Sequence, residues 1–189
     1  MKKLLFFAFA AITLSSCGYN SIVAKDEGVT KAWANVETQY QRRSDLIPNL
    51  VATVKGYADF EQETLTQVIE ARSKATSVQL TADELTPENI AKFQEAQSQL
   101  SGALSRLLVS VERYPDLKAS QQFSQLQAQL EGTENRISVS RDKFNEAVND
   151  YNTYIRSFPK NIVAGMFDFD QKGYFEADAG TENAPKVEF

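Results

Sequence analysis

The sequence of 189 residues contains no histidine. Histidine is the usual general acid or base near neutral pH and the commonest transition-metal ligand in proteins. Its absence excludes catalytic triads built on histidine and zinc sites of the usual kind, and no metal or other cofactor is expected. Only one cysteine is present, so no disulfide can form within the chain and packing alone must hold the fold together.

Glycine and proline are also scarce, with eight and five residues respectively. Long stretches instead combine Ala, Leu, Gln, Glu, Lys and Arg, which favour helices over a turn-rich β fold. The length and the hydrophobic fraction of 42% allow one domain with a substantial core. The composition therefore predicts an all-α protein.

Positive charge is in deficit, because 20 Lys and Arg residues face 25 Asp and Glu residues. The formal net charge is −5, and removal of a leader that carries Lys2 and Lys3 takes it from −5 to −7. Binding to nucleic acid depends largely on cations that release counterions from phosphates. The acidic balance argues against a nucleic-acid partner.

The N-terminus has the pattern of an export signal that ends in an attachment site. Two lysines precede an apolar run over residues 4–13, which matches a signal-peptide core and is shorter than the about 20 residues that span a bilayer. The run ends in a stretch that resembles the bacterial lipobox, Leu14-Ser15-Ser16-Cys17. An incidental cysteine after an ordinary signal peptide is the alternative, but the only cysteine occupies the one position that a lipobox requires.

We therefore expect residues 1–16 to be a lipoprotein signal peptide and Cys17 to carry the lipid. Each buried methylene of an acyl chain contributes about 0.8 kcal/mol, so several chains attach a protein to a membrane durably. The expected location is the cell envelope, on the periplasmic side of a membrane, with the body of the protein in water.

Apolar residues at intervals of three, four and seven predict four amphipathic helices. The predicted segments are 19–43, 46–75, 87–114 and 115–158. Thr86 and Pro87 supply a cap and a first-turn residue for the third helix. Steps of three and four suit the packing of nearly antiparallel helices, so the prediction is an elongated up-and-down four-helix bundle over residues 17–159.

A non-helical C-terminal tail is expected over residues 160–189, where the helical periodicity is lost. The tail carries five aromatic residues, which are unusual in a disordered segment: Phe167, Phe169, Tyr174, Phe175 and Phe189. We expect residues 166–175 to lie extended against the bundle and the acidic end from residue 178 to be mobile. The acids around Gly173 do not have the spacing of a calcium loop.

A dense cluster of functional residue types, Arg42, Arg43, Asp45 and Pro48, admits two interpretations, of which we favour the second. In the first, the two arginines bind a partner's carboxylate or a lipid phosphate in bidentate fashion. In the second, this is a corner between helices, where the arginines balance a helix dipole, Asp45 caps the next helix and Pro48 lies in its first turn. The corner interpretation predicts that Asp45→Ala costs about 0.5–2 kcal/mol and that replacing either arginine leaves folding almost intact.

Three polar residues, Gln97, Thr133 and Ser140, interrupt the otherwise apolar seams of the third and fourth helices. Such residues can line a small pocket. They more often specify register or form a hydrogen bond across a bundle. The second role is the one we expect.

Several stretches carry a resemblance to a known family. They include Tyr19, Trp33, residues 39–51 (QYQRRSDLIPNLV), residues 112–115 (ERYP) and the endings GYFE at 173–176 and APKV at 184–187. They resemble the LemA family of bacterial envelope proteins across essentially the whole mature chain. The resemblance implies a membrane-attached antiparallel helical bundle with no established enzymatic activity. Many members look as though they keep an uncleaved transmembrane helix, and the lipobox at Cys17 departs from that pattern.

We expect a protein without enzymatic activity, and of three hypotheses we rank the scaffold above the carrier and the carrier above the enzyme. The first is a non-catalytic scaffold or adaptor that presents a helical face to another envelope protein. The second is a carrier that opens around an apolar ligand, with some of the 12 Phe and 7 Tyr residues as its lining. The third is a hydrolase that uses acids alone. An enclosed apolar cavity would favour the carrier, exposed apolar surface the scaffold, and clustered buried acids the enzyme.

Overall fold

The structure, a computed structural model, describes residues 2–56 and 61–176, with side chains from Gly18 onward. The helices are α1 (Lys2–Lys55), α2 (Gln62–Ser77), α3 (Pro87–Val111), α4 (Pro115–Lys118), α5 (Gln121–Arg156) and α6 (Lys160–Met166). A 3₁₀ turn, Ala82–Glu84, precedes α3. No strand occurs in these two ranges, so the described chain is all-α as its composition predicts.

Helices α1, α2, α3 and α5 form the expected up-and-down bundle. Helix α1 packs mainly along α5, and α2 packs along α3. Helix α5 has 36 residues, which gives a length of about 54 Å at the usual rise per residue. The bundle is therefore a rod, and we call the end where α5 finishes the proximal end and the opposite end the distal end.

Two consecutive cores fill the rod. The distal core contains Ile47, Leu50, Val54, Leu65, Val68, Ala71, Ala75, Leu100, Ala103, Leu104, Leu107, Val111, Leu117, Phe123, Leu126 and Leu130. The proximal core contains Ile22, Val29, Trp33, Val36, Tyr40, Leu85, Ile90, Phe93, Ile137, Phe144, Val148, Tyr151, Ile155, Ala164 and Phe175. Every helix of the bundle contributes to one core or both, because each has an apolar stripe along one face.

Helix α1 continues through the segment where the sequence predicts a corner, so the predicted helix boundary is wrong. The buried seam passes through it in alternating steps of four and three: Val29, Trp33, Val36, Tyr40, Arg43, Ile47, Leu50 and Val54. Asp45 is exposed within the helix and accepts a hydrogen bond from Gln41 Nε2 at 2.7 Å. The capping role expected of Asp45 is therefore wrong, since no helix begins there.

Pro48 lies inside α1 instead of in a first turn. Proline has no amide hydrogen, so the carbonyl of Ser44, four residues earlier, lacks its usual helical donor. Arg72 of α2 replaces that donor, because its Nε donates to the Ser44 carbonyl at 3.0 Å. This contact between helices satisfies the carbonyl that the proline leaves free and explains how the helix tolerates the residue.

Helix α2 begins at Gln62, whereas the sequence predicts a second helix from residue 46. Leu65 and Val68 are buried as expected. Ile69 is 52% exposed, and its predicted burial is wrong because the residue after Val68 points about 100° away around the helix. Tyr57, also predicted to be buried, lies outside the described residues.

The predicted start of α3 is confirmed. Thr86 Oγ1 accepts a hydrogen bond from the Asn89 amide at 3.3 Å, and Pro87 occupies the first turn. Helix α3 ends at Val111, and Pro115 opens the single turn of α4 after it. Ser120 then caps α5 by accepting from the Phe123 amide at 3.4 Å.

The tail departs from the prediction at its beginning and agrees with it further on. Residues Lys160–Met166 form helix α6, so the expectation of a wholly non-helical tail is wrong there. Residues 167–176, which we call the strap, then run back along the bundle with Phe169 half-buried and Phe175 buried. Docking is thus confirmed for the later part of the expected segment and is wrong for Met166 and Phe167, which are exposed. The acidic end from residue 178 lies outside the described residues.

Candidate functional site

The two neighbouring arginines of the sequence have opposite environments. Arg42 is exposed, whereas Arg43 retains only 1% of its accessible surface. Because their side chains do not share a surface, the structure does not bring them together as one anion-binding pair. The position of Arg43 on the α1 seam directs its guanidinium toward α3 and α5.

Arg43 is held by groups of the chain itself. Its Nη1 donates to Ser101 Oγ and to Glu134 Oε1, each at 2.7 Å. Its Nη2 donates to the side-chain oxygen of Gln97 at 2.7 Å, and the ring of Tyr40 lies 5.1 Å from the guanidinium carbon. A buried cation needs such charge-assisted partners to offset its lost hydration.

Gln97 extends this network to the remaining helix of the bundle. Its Nε2 donates to the carbonyl of Ala75 at 3.1 Å, close to the end of α2. Arg43, Gln97, Ser101 and Glu134, which we call the arginine layer, therefore connect α1, α3 and α5, and through Ala75 also α2. Polar contacts of this kind fix helix register because any axial shift would leave a buried group unpaired.

The other two polar seam residues act within their own helix. Thr133 Oγ1 donates to the Gln129 carbonyl at 2.8 Å, and Ser140 Oγ donates to the Ile137 carbonyl at 2.9 Å. The expected hydrogen bond across the bundle is thus confirmed for Gln97 and not for these two. Their hydroxyl groups satisfy themselves locally, as Ser and Thr often do in helices.

A groove of about 720 Å³ opens to solvent beside the arginine layer, between α1 and the α2–α3 pair. Its walls include Glu37, Tyr40, Arg42, Val78 and Phe93. Partial burial raises the pKa of Glu37, and a hydrogen bond with Trp33 opposes that rise. The second carboxyl group of the groove, Asp45, is exposed and accepts a hydrogen bond from Gln41 Nε2. The groove is open to solvent, so neither carboxyl group has the enclosed surroundings that a catalytic pair of acids needs.

Other acids of the described chain have structural roles or lie in solvent. No Asp or Glu with a described side chain is buried. Glu84 completes a capping box with Thr81, and hydrogen bonds from the Thr81 backbone and side chain hold the pKa of Glu84 below its usual value. Within the described ranges, no three His, Cys, Asp or Glu residues come close enough to hold a metal ion.

Three amide side chains of the bundle form hydrogen bonds with the backbone of the strap. Asn152 accepts from the Lys172 amide at 3.0 Å and donates to its carbonyl at 2.9 Å. Asn145 accepts from the Phe175 amide and donates to its carbonyl, both at 2.9 Å. Gln94 pairs in the same way with Glu176, at 3.1 and 3.0 Å.

Phe175 anchors the strap in the proximal core. Its ring is stacked with Trp33 at a centroid distance of 6.1 Å and lies edge-on to Phe144 at 5.5 Å. Gly173 passes so close to the start of α3 that an added Cβ would lie 2.6 Å from the Pro87 Cα. Such contact is possible only for glycine, so the strap is fitted to the bundle at this point.

The predicted lipid attachment residue, Cys17, lies outside the residues whose side chains are described. Helix α1 carries the chain from this position straight into the bundle. A Cβ placed on the next residue, Gly18, would lie 3.7 Å from Val163 Cγ2, so α6 packs beside the first described side chains. Among the side chains that the structure describes, no helix has an apolar stretch long enough to cross a bilayer.

The sequence is similar to those of several known proteins. Protein LemA of Metamycoplasma hominis is 25% identical over 183 residues, which cover 94% of this chain and 80% of that protein. Magnetosome protein MamQ of Magnetospirillum gryphiswaldense is 26% identical over 189 residues, which cover 90% of this chain and 70% of that protein. Magnetosome protein MamQ 2 of Paramagnetospirillum magneticum is 26% identical over 175 residues and 84% of this chain, which spans only 64% of that relative.

The family model of the LemA family matches residues 32–189. The matched region contains the arginine layer, the three amides that grip the strap and the strap itself. It covers well over half of the sequence. The chain belongs to the LemA family.

Proposed function

We propose that this protein is a non-catalytic scaffold or adaptor of the cell envelope, held at a membrane by lipid on Cys17. Its helical rod would be presented to another envelope protein. The observation that carries the proposal is the continuity of α1, which runs as one helix from the attachment position to Lys55. A bundle joined to its anchor by a helix instead of a flexible linker keeps a fixed relation to the membrane.

The relatives are consistent with a role that does not depend on catalysis. One is named only as Protein LemA, and the others are named as magnetosome proteins. None of these names assigns a reaction. The open groove with one perturbed carboxyl group gives the acids-only hydrolase little support.

The carrier has less support than the scaffold. The aromatic residues of the proximal core pack on one another; the ring centroids of Phe93 and Phe144 lie 5.1 and 5.4 Å from that of Trp33. The arginine layer lies between the two cores, so an apolar ligand that ran through the whole bundle would have to displace a charged network. The groove beside the arginine layer is open and partly polar.

Replacement of Cys17 by serine tests the attachment. We expect the Cys17→Ser protein to be found in the soluble fraction or as unprocessed precursor, because the thiol is the acylation site. Incorporation of radiolabelled palmitate in growing cells measures this directly. Equal labelling of Cys17→Ser and wild-type protein would contradict lipid attachment at this residue.

Photocrosslinking in intact cells tests the scaffold. Photoreactive residues would replace Ile69 and Val139, two apolar side chains that are each 52% exposed on the helical faces. We expect at least one position to form a defined crosslinked product with an envelope protein. A photoreactive residue placed in that partner should form the same product, and the product should be absent when Cys17→Ser is also present. Products that are absent, or unchanged without the anchor, would contradict the proposal. Loss of a product in a folded Arg42→Ala variant would assign the partner contact to Arg42.

A further inference from the structure

The exposed apolar side chains of the described chain are unevenly distributed. Nine large ones are exposed, and four of them, Ile69, Val109, Val139 and Tyr174, are scattered over the sides and the distal end. The remaining five all lie at the proximal end, one at the start of the described part of α1 and four between the end of α5 and the first residue of the strap: Tyr19, Phe158, Ile162, Met166 and Phe167. Single exposed apolar residues are ordinary, whereas a contiguous group marks a contact surface.

The fold assembles this group from both ends of the chain. Ile162 and Met166 are four residues apart on one face of α6, while Val163 and Ala164 on its other face pack toward the proximal core. The ring of Tyr19 at the start of α1 lies 4.9 Å from that of Phe167. The exposed fractions are large, at 81% for Phe158 and 71% for Met166.

We propose that these five side chains form a seating surface that rests on the boundary between the headgroups and acyl chains of a phospholipid bilayer. The inference rests on the membrane attachment proposed above, because Cys17 is two residues from Tyr19 and would place acyl chains beside the surface. If the leader were not cleaved, its apolar run over residues 4–13 would also hold the start of the bundle, and with it these five side chains, at the bilayer. The occupant of the surface is thus the membrane to which the chain is tied.

Charges behind the surface suit a lipid headgroup layer. The ammonium group of Lys160 lies 4.2 Å from the centre of the Tyr154 ring, close to the end of α5. Lys25 lies 5.5 Å from the same ring, and its ammonium group is also 3.9 Å from the Asp150 carboxylate, so Lys160 is the better placed of the two to meet a headgroup. Lysines next to apolar side chains can reach lipid phosphates while their stems stay in the apolar layer. Asp168 is exposed directly after Phe167, which sets a limit to insertion because a carboxylate remains in water. The contact is therefore shallow.

A depth measurement by spin labelling tests the proposal on the full, acylated protein in vesicles of phosphatidylethanolamine and phosphatidylglycerol. The label is placed at Met166→Cys, and Val109→Cys is the matched control because both native side chains are 71% exposed. In the acylated protein the Cys17 thiol is blocked, so only the new cysteine reacts. Ile162→Cys repeats the test at a second position of the surface.

For each spin label, we compare the rate of collision with oxygen, which is enriched in the bilayer, to the rate of collision with a water-soluble nickel chelate. We expect this ratio to be several-fold higher for the labels at 162 and 166 than for the label at 109. Labels at all three positions that are equally accessible to the nickel chelate would overturn the proposal. Labels at 162 and 166 that are shielded from both reagents and broadened by a neighbouring label would also overturn it, in favour of a second copy on this surface. Vesicle flotation is read separately: failure to float overturns the attachment itself, whereas floating protein with an aqueous label at 166 overturns the seating surface alone.

Discussion

At the scale of single residues, Arg42 and Arg43 are neighbours in the sequence, but the first carries an exposed charge and the second a buried one. Arg43→Ala removes a side chain that is 1% exposed and leaves the buried Gln97 oxygen without its donor. We expect a loss of about 2–5 kcal/mol in the free energy of unfolding, from lost packing and an unpaired polar group. Chemical denaturation of the purified protein measures it.

The exposed neighbour supplies the matched control. Arg42→Ala should change the free energy of unfolding by no more than about 0.5 kcal/mol, as should Asp45→Ala, because neither position is buried or at a helix end. Similar losses for Arg42→Ala and Arg43→Ala would contradict the arginine layer. A loss of about 1 kcal/mol for Asp45→Ala alone would restore the corner that the structure replaces with continuous helix.

The sequence contains a pattern that predicts the burial of Arg43, but the proline at position 48 favours a different interpretation of the same segment. Steps of four and three run without interruption from Val29 to Val54, and Arg43 takes one of them. Pro48 predicts a helix boundary instead, since a proline inside a helix normally costs about 3 kcal/mol. The compensating donor, Arg72 on the next helix, depends on tertiary contact and leaves no local pattern to read.

At the scale of elements, the strap is the segment whose docking is most sensitive to one side chain. Gly173→Ala should destabilise it by about 1–3 kcal/mol, because the new Cβ would meet backbone atoms of Thr86 and Pro87 within 2.9 Å. We expect faster hydrogen exchange at the backbone N–H groups of Lys172, Phe175 and Glu176. In the docked strap these groups donate to the side-chain oxygens of Asn152, Asn145 and Gln94 respectively. Mass spectrometry of exchange at the strap gives the measurement.

Gly165 provides the control for this substitution. It lies in α6 with no neighbouring atom within 4 Å of an added Cβ, so Gly165→Ala should be neutral or stabilise by up to about 1 kcal/mol. Unchanged exchange at the strap in Gly173→Ala would show that the close contact with Pro87 does not control docking. A matching effect from Gly165→Ala would point to α6 instead.

Periodicity predicts elements well where the apolar stripe is their main source of stability. The start of α3 and the seams of α3 and α5 follow from it, because the Thr86 cap and the steps of three and four agree. The predicted start of the fourth helix at residue 115 is wrong, since Pro115 opens the short α4 and α5 begins at Gln121. Aromatic content predicts that the tail docks, and Phe175 carries that contact. The partners of its backbone are less predictable, because Asn145, Asn152 and Gln94 are polar helix residues like many that only meet solvent.

At the scale of the whole molecule, we infer a rod that would stand on the membrane at its proximal end. The sequence predicts the bundle and the anchor, but not the seating surface, since Tyr19 and Phe167 are brought together only by the antiparallel fold. The unbroken α1, the lipid proposed at position 17 and the exposed apolar side chains beside it all favour an upright orientation. The sides and the distal end would then be free to meet a partner.

Energy transfer from the distal end to the bilayer tests this arrangement most directly. A donor dye at Val109→Cys, near the end of α3, would be paired with acceptor dyes on the lipid headgroups of vesicles that carry the acylated protein. The account predicts a separation of about 50 Å, the length of a bundle built on helices of this size. A separation below about 20 Å would mean that the rod lies flat on the membrane, and it would contradict a scaffold held upright by its lipid-anchored helix.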